Sequence, residues 1–69
     1  MDAKAIENNY VYHSPSETQQ EKYVSIRAKA KELAYLLNEA CPESREKSLA
    51  MTNLEQVMMW ANASIARNE

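Results

Sequence analysis

Glycine is absent from this 69-residue chain, and that absence removes several functions at once. Tight β-hairpin turns, phosphate-cradling loops and dinucleotide fingerprints need positive φ or a close backbone approach that glycine alone supplies without strain. Cysteine and histidine occur once each, as Cys41 and His13. No intrachain disulfide and no zinc site can therefore be assembled, and these are the usual staples of a chain so small. Self-association is the staple that remains. No apolar run, Val57-Met58-Met59-Trp60-Ala61 included, is long enough to cross a bilayer, and Met1-Asp2-Ala3-Lys4 lacks the basic-then-apolar order of a secretion signal. The expected location is the cytosol, with no membrane partner. Nor is there an excess of positive charge: 8 Lys and Arg against 10 Asp and Glu leave a net charge of −2. That disfavours a protein that tracks DNA or RNA, which needs a basic stripe, but it permits a small anionic ligand.

What is present reads as an all-α fold. Hydrophobic residues make up 45% of the chain and charged residues 26%, a globular rather than a disordered balance. Residues 1–13 carry Ile6, Tyr10, Val11 and Tyr12 with no sustained period and form an N-terminal arm, followed by a hairpin domain over residues 14–69. Ser14 as N-cap, Pro15 at the first helical position and Glu17 as the capping-box acid predict a helix start, with Ser16 and Gln19 offering a second register. Tyr23, Ile26, Ala30, Leu33, Leu37 and Ala40 then recur at spacings of three and four, widened by Val24, Ala34 and Leu36. Pro42 stops this helix near Ala40, and Ser44, with Glu43 and Glu46 close by, opens another. The second helix presents Leu49, Ala50, Leu54, Val57, Met58, Ala61 and Ile65 on one stripe, with Met51, Met59, Trp60 and Ala66 outside it. The short connection predicts an antiparallel two-helix hairpin with arms about 35 Å long at 1.5 Å per residue. Its surplus apolar face predicts a homo-oligomer.

Aromatic and cationic residues interleave around the first helix start: Tyr10, Tyr12 and His13, then Lys22, Tyr23, Arg27, Lys29 and Lys31. Tyrosine faces stack on nucleobases and arginine forks grip phosphates. As ordinary helix chemistry, the same residues are a core tyrosine and a solvated cationic face. Ser44-Arg45-Glu46-Lys47-Ser48 sets hydroxyls and cations at a helix start, which suits either an anion or simple capping with i,i+4 pairs. Trp60 reads as an interface anchor, with a core position as the other option. Thr52 and Asn62 can bond a ligand or water. Arg67, near the chain end, complements a helix dipole. Cys41 has no histidine beside it, which argues against a catalytic thiol. A monomer this small also offers little concavity for catalysis. The reading is a protein that is not an enzyme, needs no cofactor or metal, and places any site between subunits.

Four stretches carry a resemblance over about residues 10–69. They are Tyr12-His13-Ser14-Pro15; Tyr23-Val24-Ser25-Ile26-Arg27-Ala28-Lys29-Ala30-Lys31-Glu32-Leu33-Ala34; Pro42-Glu43-Ser44-Arg45-Glu46-Lys47-Ser48-Leu49-Ala50; and Leu54-Glu55 with Met59-Trp60-Ala61-Asn62-Ala63 and Ile65-Ala66-Arg67-Asn68. Together they resemble the phage hairpin-domain family of anti-defence sponges, whose branches are anti-CBASS cyclic-oligonucleotide sponges and Thoeris anti-defence sponges for cyclic ADP-ribose isomers. The resemblance implies a homohexamer that sequesters a second messenger without cleaving it, in the cytoplasm of an infected bacterium. It places a stacking face on Tyr12, a phosphate grip on Arg27 with Lys29 nearby, and a cyclic-trinucleotide contact on Arg67. The Thoeris branch usually adds a β-rich extension before the hairpin, for which this chain has no room, so the expected ligands are cyclic dinucleotides, with cyclic trinucleotides at a separate site through Arg67; sequestration of cyclic ADP-ribose isomers stays open as the alternative. A helical adaptor docking its Met-Trp face on a host protein is the competing expectation; a phosphodiesterase would need a metal or base that His13 alone does not supply.

Overall fold

Pro42 and Ser44 set the geometry of the turn as their chemistry predicts. In the computed structural model, which describes residues 2–69, the three helices are α1 (Ala3–Tyr10), α2 (Glu17–Ala40) and α3 (Arg45–Asn68), with no strand among the described residues. Cys41 leaves helical conformation at φ −98° and ψ 130°, and Ser44 is fully extended while its hydroxyl accepts the Lys47 N–H at 3.1 Å. No described residue has positive φ. A chain without glycine thus reverses direction without a left-handed residue. α2 and α3 pack antiparallel as the hairpin: Lys22 near the start of α2 pairs with Glu69 at 2.8 Å, and Lys47 near the start of α3 reaches the Asn38 carbonyl at 3.1 Å.

The start of α2 differs from the first expected register. Ser16, not Ser14, is the N-cap: its hydroxyl accepts the Gln19 N–H at 3.1 Å, and the Gln19 side-chain carbonyl accepts the Ser16 N–H at 3.0 Å. Pro15 consequently lies outside the helix. Glu17 becomes its first residue, where a carboxylate favours the positive end of the dipole. Gln19 also donates to the Ile65 carbonyl at 3.5 Å, which ties this register to α3.

The seam also shifts. On α2 the part-buried positions are Gln19, Tyr23, Ile26, Ala30, Ala34, Leu37 and, at the cap, Cys41, whereas Leu33 and Ala40 are exposed. On α3 Lys47 is buried and the part-buried positions include Ala50, Met51, Leu54, Met58, Ala61, Asn62, Ile65 and Ala66, whereas Leu49 and Val57 are exposed. The inward positions recur at steps of seven (23, 30 and 37; 47, 54 and 61; 51, 58 and 65) as well as eleven (19, 30 and 41; 50 and 61; 54 and 65), the two steps that bracket the 3.6 residues per turn of a straight helix.

Residues 3–10 are helical rather than irregular. The Asp2 carboxylate caps α1 by accepting the Ala5 N–H at 2.8 Å, and the Asn8 amide donates to the Arg67 carbonyl at 3.1 Å. His13 Nε2 lies 2.7 Å from the Asn8 carbonyl oxygen and closes the return toward α2. The molecule measures 45 × 29 × 13 Å, so across its short dimension it is one helix thick. No apolar side chain among the described residues is buried, and Trp60 stands 66% exposed beside Met59 at 63%.

The capping geometry makes a direct prediction. Ser16→Ala should lower stability by about 1 kcal/mol, whereas Ser14→Ala should stay within about 0.5 kcal/mol of wild type. Denaturation of both variants at one protein concentration checks this, and the reverse order would restore the Ser14 register.

Candidate ligand-binding grooves

Two open grooves flank the α2–α3 seam. The first, about 280 Å³, has Arg27 and Lys31 on its α2 wall, Glu55 on its α3 wall, and Ala30, Ala34, Met51, Leu54 and Met58 as its floor. The second, about 460 Å³, is bordered by Ser25, Lys29, Leu33 and Val57 and is more apolar. Ala30, Leu54 and Met58 line both. The helix explains this division: residues two apart, such as Arg27 and Lys29, project on nearly opposite sides of α2, whereas residues four apart, such as Arg27 and Lys31, share a side.

The four residues singled out in the sequence occupy separate places in one hairpin. Arg27 lines the first groove, and Lys29 lines the second while pairing with Glu32 at 3.3 Å. Tyr12 follows α1, is 84% exposed and lines neither groove. About 15 Å of helix separates the first residue of α2 from Arg27, at 1.5 Å per residue. Arg67 is exposed in the last turn of α3, and its backbone carbonyl receives the Asn8 amide. Lys31 and Glu55 complete the first groove although neither was singled out as a site residue. The i,i+4 spacing of Arg27 and Lys31 is the signal that could have joined those two; Glu55 comes from another helix, which no local pattern reveals.

The Ser44-Arg45-Glu46-Lys47-Ser48 segment resolves in favour of capping. Lys47 is buried to 8% exposure, donates to Glu43 at 2.6 Å and to the Asn38 carbonyl at 3.1 Å, and is already engaged within the hairpin. α2 has no basic residue in its own last turn. Lys47 supplies, from the neighbouring helix, the positive charge that the carbonyl end of α2 favours.

Comparison with protein-family models matches residues 1–66 to the Acb2/Tad1 hairpin domain. The chain belongs to this family of anti-CBASS and anti-Thoeris sponges. No curated protein and no solved structure matches it. Membership in the hairpin family agrees with the antiparallel α2–α3 pair and implies an anti-defence sponge for cyclic oligonucleotides, a role of binding rather than cleavage. No helix among the described residues is long and apolar enough to cross a membrane.

Lys47 should matter to the fold rather than to the ligand. Lys47→Met leaves the Asn38 carbonyl without its charged donor and should cost about 1.5–3 kcal/mol. Glu43→Gln, at a carboxylate 90% exposed, should cost no more than about 1 kcal/mol. Chemical denaturation separates the two, and equal losses would show that the ion pair, not the carbonyl contact, holds the turn.

Proposed function

We propose that this protein is a phage anti-defence sponge that holds cyclic dinucleotides, and cyclic trinucleotides at a second site, away from a CBASS effector in the cytoplasm of an infected bacterium. The observation that carries this reading is the hairpin-family match over residues 1–66. Tyr12 supplies a stacking face and Arg27 a phosphate grip. Lys29 serves a ligand from the second groove, and Arg67 contacts the trinucleotide. Sequestration breaks no bond, so the ligand leaves the protein unchanged when the protein is denatured.

The working form is a homo-oligomer, a hexamer on the family pattern, with residues 1–13 as an arm on a hairpin domain of residues 14–69. A slab one helix thick with Trp60, Met59, Val57 and Val24 exposed has apolar surface that another copy can cover. Two-fold symmetry between copies also presents Tyr12 and Arg27 in pairs, the arrangement that the two bases and two phosphates of a cyclic dinucleotide require. Charge-assisted contacts from two subunits can then give tight binding with no reaction.

Native mass spectrometry with cyclic di- and trinucleotides and cyclic ADP-ribose isomers tests the reading. The expected result is an oligomer that retains a cyclic dinucleotide, recovered intact after heat release. Retention of only the ADP-ribose isomers would move the protein to the Thoeris side, and a monomer that retains nothing would favour a helical adaptor that uses Trp60. By calorimetry, Tyr12→Ala should weaken dinucleotide binding by about 1–3 kcal/mol and Arg27→Ala by about 1.5–3 kcal/mol, with both variants still assembled. Arg67→Ala should weaken the trinucleotide alone. Trp60→Ala should lower both assembly and melting temperature; an unchanged oligomer would place the interface elsewhere.

A further inference from the structure

The ion pairs of the hairpin divide its cations into two groups. Lys22 is paired with Glu69, Lys29 with Glu32 and Lys47 with Glu43. Arg27 and Lys31 enter none of the ion pairs found among the described residues, although they stand four apart on α2 and line one groove. Like charges at this spacing repel and weaken a helix slightly, a cost that an anion held between them removes. Glu55 faces them from α3 without pairing with either.

We propose that Arg27, Lys31 and Glu55 form a cradle for a single phosphodiester, with Lys31 as the second phosphate-binding cation; the proposal rests on the sponge reading above. The formal charges of the three side chains sum to +1, matched to one phosphodiester at −1. Arg27 offers a planar fork to two phosphate oxygens, and Lys31 offers a compact charge to a third contact. Glu55 opposes a second negative charge in the same groove. That favours the separated phosphates of a cyclic dinucleotide, one per hairpin, over the adjacent phosphates of a diphosphate. The apolar floor of Ala30, Ala34, Leu54 and Met58 takes the carbon face of the ligand.

Calorimetry of cyclic di-AMP and cyclic di-GMP with wild type, Arg27→Ala, Lys31→Ala, Lys31→Arg and Arg45→Ala tests the cradle, with melting temperature and native mass measured for each. Lys31→Ala should lose about tenfold or more in affinity, in line with a charged hydrogen bond. It should keep the wild-type mass and melt no lower than wild type, since it also relieves the repulsion from Arg27. Lys31→Arg should return binding to within about threefold, since it restores the charge. Arg45→Ala, at the turn end of α3, should bind as wild type does. Wild-type affinity in Lys31→Ala beside a defective Arg27→Ala would overturn the cradle and leave the sponge reading intact. So would a loss in Lys31→Ala that comes with lost assembly and that Lys31→Arg does not repair. Wild-type protein that binds neither dinucleotide would overturn the cradle, and the sponge reading falls with it only if cyclic trinucleotides and cyclic ADP-ribose isomers are not retained either.

Discussion

A two-helix hairpin has only one seam, and everything else in this protein follows from how little one seam can cover. Each helix offers about a third of its surface to its partner. Not one apolar side chain among the described residues is fully buried. A chain of this composition has no disulfide or metal to make up the difference, and the apolar surface left open is what the proposed oligomer would cover. The open grooves are the complement of the same constraint: on either flank of the seam, nothing in the hairpin fills the space.

The ends of the hairpin are held by polar chemistry rather than by packing. At the turn, Lys47 links the carbonyl end of α2 to the start of α3 and to Glu43. At the open end, Gln19 both completes the Ser16 capping box and donates to the Ile65 carbonyl, Lys22 pairs with Glu69, and Asn8 brings α1 to the Arg67 carbonyl. These contacts are directional, so they specify register where a thin apolar seam would tolerate sliding. They also place α1 beside the end of α3, the region that carries Arg67.

Much of this fold can be read from the residues themselves. Pro42 and Ser44 mark the turn because one lacks a donor and the other supplies an acceptor. Elsewhere two readings compete at similar strength: Ser14 with Glu17 and Ser16 with Gln19 are both capping boxes, and contact with Ile65 favours the second. The seam misleads only at single positions: Leu33 and Leu49 continue the apolar spacing but lie exposed, whereas Ala34 and Met51 lie under the partner helix, because which edge of a broad apolar stripe is covered depends on how the two helices pair. α1 escapes notice because it is held by Asp2 and Asn8, polar contacts that leave no apolar period. For the grooves, the cations were legible as types, but which of them share a wall depends on the angular step around α2. Glu55 opposite them depends on the pairing of two helices.

The floor shared by the two grooves limits how such a protein can change. Ala30, Leu54 and Met58 lie under both flanks of the hairpin, so a substitution at any of them reshapes two cavities and the seam between them at once. Residues on the rims, among them Arg27, Lys31 and Glu55 on one side and Ser25 and Lys29 on the other, each line only one of these two grooves. Change on one flank is therefore channelled to its rim, where one groove can be reshaped without cost to the other, and the floor is left as the part that the two grooves hold in common.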